Sequence, residues 1–213
     1  MSIFTLYDKS KLVEESKALP GRLDKIFYPD IHFVTKKSYK ELNFNELQVL
    51  QFGMGCFWGA EKFFWELPDV EFTSVGYASG YTPNATYEEV CSGQTGHNEV
   101  VQVIFSPEKI SLDNILKVFW ENHDPTQGMR QGYDMGTQYR SGIYYSDPSS
   151  LETINFFKDK YQSALIKNGY GEITTEIKEI SNFYFAEEYH QQYLAKNPNG
   201  YCGHGGCGIS LED

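Results

Sequence analysis

From Gln48 onward, strand-like and helix-like stretches alternate in one fixed order, and that order narrows the fold more than any other property of the chain. Val49-Leu50-Gln51-Phe52 reads as a buried strand running into Gly53-Met54-Gly55. Cys56 to Leu67 reads as a helix stopped by Pro68. Val70 to Tyr77 is a second strand, ending in the loop Gly80-Tyr81-Thr82-Pro83-Asn84. The β-branched run Glu99 to Phe105 is a third strand, closed by Ser106-Pro107. Ser111 then caps a helix in which Leu112, Ile115, Leu116 and Phe119 share one face. Ser141 to Tyr145 is a fourth strand. Asp147-Pro148 opens a helix running to about Lys167, and Ile173 to Ile180 returns as a strand.

The central order β-α-β-β-α-β predicts an α+β fold with a two-layer, ferredoxin-like (split βαβ) core. An α/β layer with a helix after every strand is the competing arrangement. Residues 1–46 are polar and irregular, with a turn signal at Leu19-Pro20-Gly21, and read as an N-terminal extension wrapped on the domain. Residues 47–196 are expected to form the main domain. Residues 197–213 form a Gly-rich C-terminal tail, with five glycines between Gly200 and Gly208. Such a segment is expected to be flexible, because glycine keeps many backbone states accessible.

A length of 213 residues suits one domain with extensions. The net charge of −11 argues against nucleic acid or an anionic membrane as partner, since both need clustered Lys and Arg. Its plain meaning is solubility. No stretch reaches the roughly 20 apolar residues of a membrane span, and the first residues do not read as a signal peptide. Four cysteines do not resemble a secreted disulfide scaffold. A reducing, cytoplasmic setting is expected, where a cysteine pair is more often redox-active or metal-binding than structural.

Cys56 is placed between a buried strand and the first turn of a helix. Unpaired N–H groups and the helix dipole favour a thiolate there, and the thiolate is the working nucleophile. A free cysteine is equally at home as a small buried apolar residue, and position alone leaves both readings open.

The flanking residues separate them. The chain from about Gln51 to Gly208 resembles the peptide methionine sulfoxide reductase A family. Eight segments in order carry the resemblance: Gly55-Cys56-Phe57-Trp58-Gly59, Gly80-Tyr81-Thr82-Pro83-Asn84, Thr86-Tyr87, Val90-Cys91-Ser92-Gly93, Thr95-Gly96-His97-Asn98-Glu99, Phe119-Trp120-Glu121-Asn122-His123-Asp124-Pro125, Gly136-Thr137-Gln138-Tyr139-Arg140-Ser141 and Asn197-Pro198-Asn199-Gly200-Tyr201-Cys202. The resemblance implies that Cys56 attacks the sulfur of a methionine S-sulfoxide, free or in peptides, and becomes a sulfenic acid. It implies that Glu99 is the acid, and that Tyr87 and Tyr139 donate hydrogen bonds to the sulfoxide oxygen. Without the motif, Glu99 reads as a solvated strand-edge charge. Phe57 and Trp58 would wall the pocket for the ε-methyl group, and Asp134 would hold water or polar groups of the substrate.

The resemblance further implies that Cys202 resolves the sulfenic acid and that Cys207 passes the disulfide outward to thioredoxin. No cofactor is implied, and a monomer is expected. Many family members carry their last redox cysteine farther along, near the position of Ser210, so Cys207 departs from the pattern. Cys91 reads as structural or as a bystander. Cys202-x-His204-x-x-Cys207, joined by His190 or Cys91, offers zinc-type ligands, but as one loose cluster and not the two separated pairs of structural sites. A catalytically silent sensor or binder of methionine sulfoxide is the competing function, and a thiol peroxidase a third.

Overall fold

All eight residues of strand β3 (Asn98–Phe105) are buried, so this β-branched run carries neighbours on both edges and layers on both faces. In the computed structural model, which describes residues 8–26, 30–203 and 205–211, it pairs antiparallel with β1 (Gln48–Met54), Val49 opposite Ile104. On its other side lies β2 (Val70–Ala78), also antiparallel, with Val75 opposite Val101. β1 pairs antiparallel with β6 (Ser141–Tyr145). The edges are β7 (Glu176–Glu179), parallel to β6, and β8 (Phe183–Phe185), antiparallel to β2. The sheet is therefore mixed, in the order β7-β6-β1-β3-β2-β8. A separate small hairpin joins β4 (Arg130–Gln131) to β5 (Asp134–Met135).

Helix α1 (Phe57–Trp65) connects β1 to β2, and α3 (Leu112–Glu121) connects β3 to β6. Between β2 and β3 stands only the five-residue α2 (Tyr87–Cys91). Helix α4 (Leu151–Lys167) precedes β7, and α5 (Tyr193–Lys196) follows β8. The architecture is mixed α+β. The Ser111 hydroxyl accepts the Asn114 N–H as an N-cap, and Thr86 forms a capping box with Glu89. The strand expected over 173–180 is shorter, and the 147–167 helix opens with a 3₁₀ turn at Pro148–Ser150.

Alternate residues of the central strands face the helices: Leu50, Phe52 and Met54 from β1, and Val101, Val103 and Phe105 from β3. Phe52 stacks on Phe64 of α1 (5.0 Å between ring centroids) and on Phe119 of α3 (5.1 Å). Phe119 is fully buried. Phe119→Ala is expected to cost about 3–5 kcal/mol of stability in a urea titration, because the ring's contacts vanish and the cavity closes only in part.

The described residues of the first 46 lie against this domain. Arg22 pairs with Glu89 at 2.5 Å, and the Leu19 N–H donates to the Gln94 carbonyl. His32 is buried, its Nδ1 accepting the N–H groups of Val34 and Thr35. Its other nitrogen must then carry the proton, which it gives to Thr73 Oγ1 at 2.9 Å. The Thr73 hydroxyl donates in turn to Glu61 of α1 (2.9 Å), which also accepts the backbone and side-chain N–H groups of Gln192. Burial pushes the Glu61 carboxyl up to about 7. This buried chain of polar contacts clamps the turn before α5 onto α1.

The tail ends with its last described residue seated. Leu211 is buried, its N–H donates to Glu121 Oε1 at 2.7 Å, and Lys160 Nζ donates to its carbonyl. The glycine-rich segment is thus tied down beyond its cysteines.

Candidate active site

Cys56 is the N-cap of α1 and half-buried. The turn that delivers it needs Gly55, whose φ of +89° belongs to glycine and whose missing Cβ would meet Gln131 at 2.6 Å. The first helical N–H, of Phe57, donates to Glu99 Oε2 at 3.3 Å. The Trp58 N–H is aimed at the Cys56 sulfur and favours its anion. Burial acts against that anion, as does the neighbouring Glu99 carboxylate, and together they hold the thiol well above its ordinary range. Desolvation thus opposes the stabilisation that the helix start offers the anion.

Glu99, the second residue of β3, is 1% exposed. Burial pushes its carboxyl up to about 8, against the smaller opposing pull of the Phe57 N–H. Its Oε1 is buried with no hydrogen-bond partner. At neutral pH the group holds its proton, so the solvated strand-edge reading does not describe it.

Tyr87 opens α2, and Tyr139 ends a 3₁₀ turn just before β6. Burial, then the nearby Glu99 carboxylate, raises both phenols, and both feel Cys56. The structure therefore brings four of the residues singled out in the sequence around one point. Asp134 on β5 joins them, near enough for its charge to act on Cys56 and Glu99. It accepts the Tyr201 hydroxyl at 3.4 Å, which lays the tail beside the site.

Phe57 is buried among Tyr77 and His190. Trp58 is half-buried, stacked on Tyr193 at 4.0 Å, with its indole N–H donated to His190. Cys202 is exposed and close enough to influence Cys56. Cys207 lies elsewhere: its thiol meets Asp124, Tyr161 and Tyr170, and burial pushes it up to about 12. The two tail cysteines thus have different surroundings, while His204, the third ligand of the zinc reading, lies outside the described residues. Cys91 is nearer the chemistry than its sequence reading suggests, its thiol contacting the Tyr87 hydroxyl. Surface hollows of about 530 and 890 Å³ lie away from this site, and neither is lined by Cys56, so chemistry marks the site better than volume does.

Sequence reasoning missed Glu187, and reached His190 only as a further ligand of the zinc reading. Glu187 accepts the Tyr77 hydroxyl at 2.8 Å and the Tyr87 N–H at 2.9 Å. The only signal for them was Glu187-Glu188-Tyr189-His190, a cluster of chemistry-bearing side chains about 100 residues from their partners in sequence.

The sequence pattern of the family described as peptide methionine sulfoxide reductase matches residues 48–206. The chain belongs to the peptide methionine sulfoxide reductase A family. It is accordingly an oxidoreductase. Peptide methionine sulfoxide reductase MsrA 1 of Synechocystis sp. is 56% identical over 211 residues, 99% of this chain and 95% of that protein. Methionine sulfoxide reductase A of Corynebacterium diphtheriae has a solved structure with a TM-score of 0.85 at 43% identity, covering 93% of this chain and 99% of that one. Mxr1 of Saccharomyces cerevisiae in reduced form gives 0.71 at 37% identity, covering 76% and 92%. Mxr1 has also been solved in complex with Trx2; that chain matches the fold at 0.51 and 23% identity, covering 84% and 99%. In this family member no helix among the described residues is long and apolar enough to cross a membrane.

Proposed function

We propose that the chain reduces methionine S-sulfoxide, in proteins and as the free amino acid, through a Cys56 sulfenic acid. The observation that carries this reading is the burial of Glu99 beside the Cys56 thiol, which pushes its carboxyl up, with two phenols raised by the same surroundings. The sulfoxide oxygen takes a proton from Glu99 while Cys56 attacks sulfur. The oxygen moves from the substrate sulfur to Cys56 Sγ as the S–O bond and the transient Sγ–S bond break, leaving Cys56 as S–OH. Methionine leaves, and the thiol proton returns to Glu99. The Tyr87 and Tyr139 hydroxyls donate to the same oxygen as its charge grows. Phe57 and Trp58 take the ε-methyl group, and Asp134 holds polar groups at the mouth.

Cys202 then displaces hydroxide, which leaves as water, to give the Cys56–Cys202 disulfide. Cys207 exchanges with Cys202, freeing Cys56, and thioredoxin reduces the Cys202–Cys207 disulfide. The solved complex of the yeast relative Mxr1 with Trx2 supports a thioredoxin as reductant. The placement of β3 between β1 and β2, antiparallel to both, supports a split βαβ reading of the core. All four cysteines are free, which suits a reducing compartment such as the cytoplasm.

Cys202→Ser is expected to form one methionine per chain and then stop. Cys207→Ser should form the Cys56–Cys202 disulfide normally and slow thioredoxin-dependent cycling by less. Thiol counts after one turnover in each variant decide the order. Loss of a single thiol rather than two in Cys207→Ser would overturn it.

A further inference from the structure

His190 is fully buried, and burial pulls its imidazole down to about 4, so it is neutral. A neutral imidazole has one donor nitrogen and one acceptor, and an indole N–H only donates. Trp58 Nε1 lies 2.9 Å from His190 Nδ1. Nδ1 is therefore the acceptor, and the imidazole proton sits on Nε2. That N–H faces Glu187 Oε2 at 3.8 Å, too far for a hydrogen bond, and has no partner. The Glu187 oxygens are already occupied by the Tyr77 hydroxyl and the Tyr87 N–H.

An unpartnered buried N–H costs stability. Packing does not require it. The rings around His190 are those of Phe57, Trp58, Tyr87 and Tyr189, with centroids 4.1–5.7 Å away. A phenylalanine would fill such a space without the orphan donor. What it would lack is an acceptor for the indole. Trp58 stacks on Tyr193 (17° between planes) and meets His190 edge to edge, the two rings inclined by 29°. Stacking fixes the tilt of a ring but leaves it free to turn in its own plane, and a hydrogen bond at Nε1 stops that turning.

We propose that His190 is a positioning residue: its Nδ1 locks the in-plane orientation of Trp58, and so shapes the wall that receives the substrate methyl group. The proposal rests on the functional reading above for the identity of that methyl group. The same turn holds the start of α2 through Glu187 and the backbone N–H of Tyr87, and the Gln192 contacts to Glu61 pin the turn to α1.

The test uses the whole chain, with indole and imidazole nitrogens labelled. The Trp58 indole N–H resonance is the one lost in Trp58→Phe. His190→Phe is expected to move it upfield and to raise KM for N-acetyl methionine sulfoxide about tenfold, the size of one lost hydrogen bond, with a smaller change in kcat. His190→Asn, which offers an oxygen near the Nδ1 position, should recover most of both. In a Trp58→Phe background, His190→Phe should change KM no further. An unmoved indole resonance, or an equal KM effect in both backgrounds, overturns the proposal.

A second measurement leaves His190 in place. Its nitrogen shifts should report a single Nε2–H tautomer in the native chain and a tautomer mixture in Trp58→Phe. An unchanged tautomer overturns the proposal even where His190→Phe fails to fold. If the native chain forms no methionine in these assays, the functional reading fails, and the two spectroscopic results still decide the role of His190.

Discussion

Cys56→Ser leaves a folded protein that forms no methionine from the sulfoxide in a single-turnover assay without reductant. Serine differs from cysteine by one small atom at a half-buried cap, so stability should hardly move. The hydroxyl, however, has neither the nucleophilicity nor the capacity to carry oxygen as a sulfenic acid. The expected loss is on the order of 10⁶-fold or more, the scale of enzymatic acceleration as a whole. Full retention of methionine formation would end the Cys56 mechanism. Native binding of the sulfoxide with no product from the native chain would instead favour the silent sensor.

The second large effect belongs to Glu99. Glu99→Gln keeps the shape of the carboxyl but removes the transferable proton, and first-turnover rate is expected to fall about 10²–10⁴-fold, as for loss of a general acid. The pH dependence has a definite sign. In the folded chain the carboxyl is raised to about 8 from an ordinary value near 4.5. The acid form is therefore lost as pH rises through about 8, and kcat/KM should fall there. Thiol ionisation would give the opposite slope, but burial holds the Cys56 thiol above that range. In Glu99→Gln the alkaline limb should vanish.

Stability follows the same proton. Between about 4.5 and 8 the folded state keeps a proton that the unfolded state releases, so Glu99 disfavours folding increasingly as pH rises through that window. Glu61, raised to about 7, adds a similar slope, and the difference between native and Glu99→Gln isolates the Glu99 part. A flat native rate profile to pH 9 would remove Glu99 from the acid's role.

What the sequence made legible were features with a long period or a dense motif. The β3 run, the Ser111 cap and the order of the long strands needed only local signals, and Cys56 and Glu99 stood out through flanking motifs. Features too short to have a period were not legible. β8 has three residues, each strand of the β4–β5 hairpin two, and α2 five, yet they carry or frame Tyr87 and Asp134. Also hidden was any balance between opposing effects. A cysteine at a helix start leaves the core and nucleophile readings open, and the burial that opposes its anion comes from residues distant in sequence. The Trp58–His190 bond spans 132 residues and leaves no trace in either segment alone. Cys207 beside Asp124 is of the same kind, since neither residue announces the other.

The seated Leu211 has a kinetic consequence for the thiol nine residues before it. With the chain fixed at Leu211 and again at the Gln192–Glu61 contacts, Cys202 rides on a leash anchored at both ends. A tethered group of this kind meets its target at an effective concentration of about millimolar, independent of how much protein is present. In the proposed cycle a newly formed Cys56 sulfenic acid therefore faces a standing intramolecular competitor to any second oxidant arriving from solution. Capture as a disulfide is reversible, whereas a further oxidation to sulfinic acid is not. In that cycle the anchor at Leu211 would act as insurance for the nucleophile, biasing each turnover toward the branch from which the protein can return.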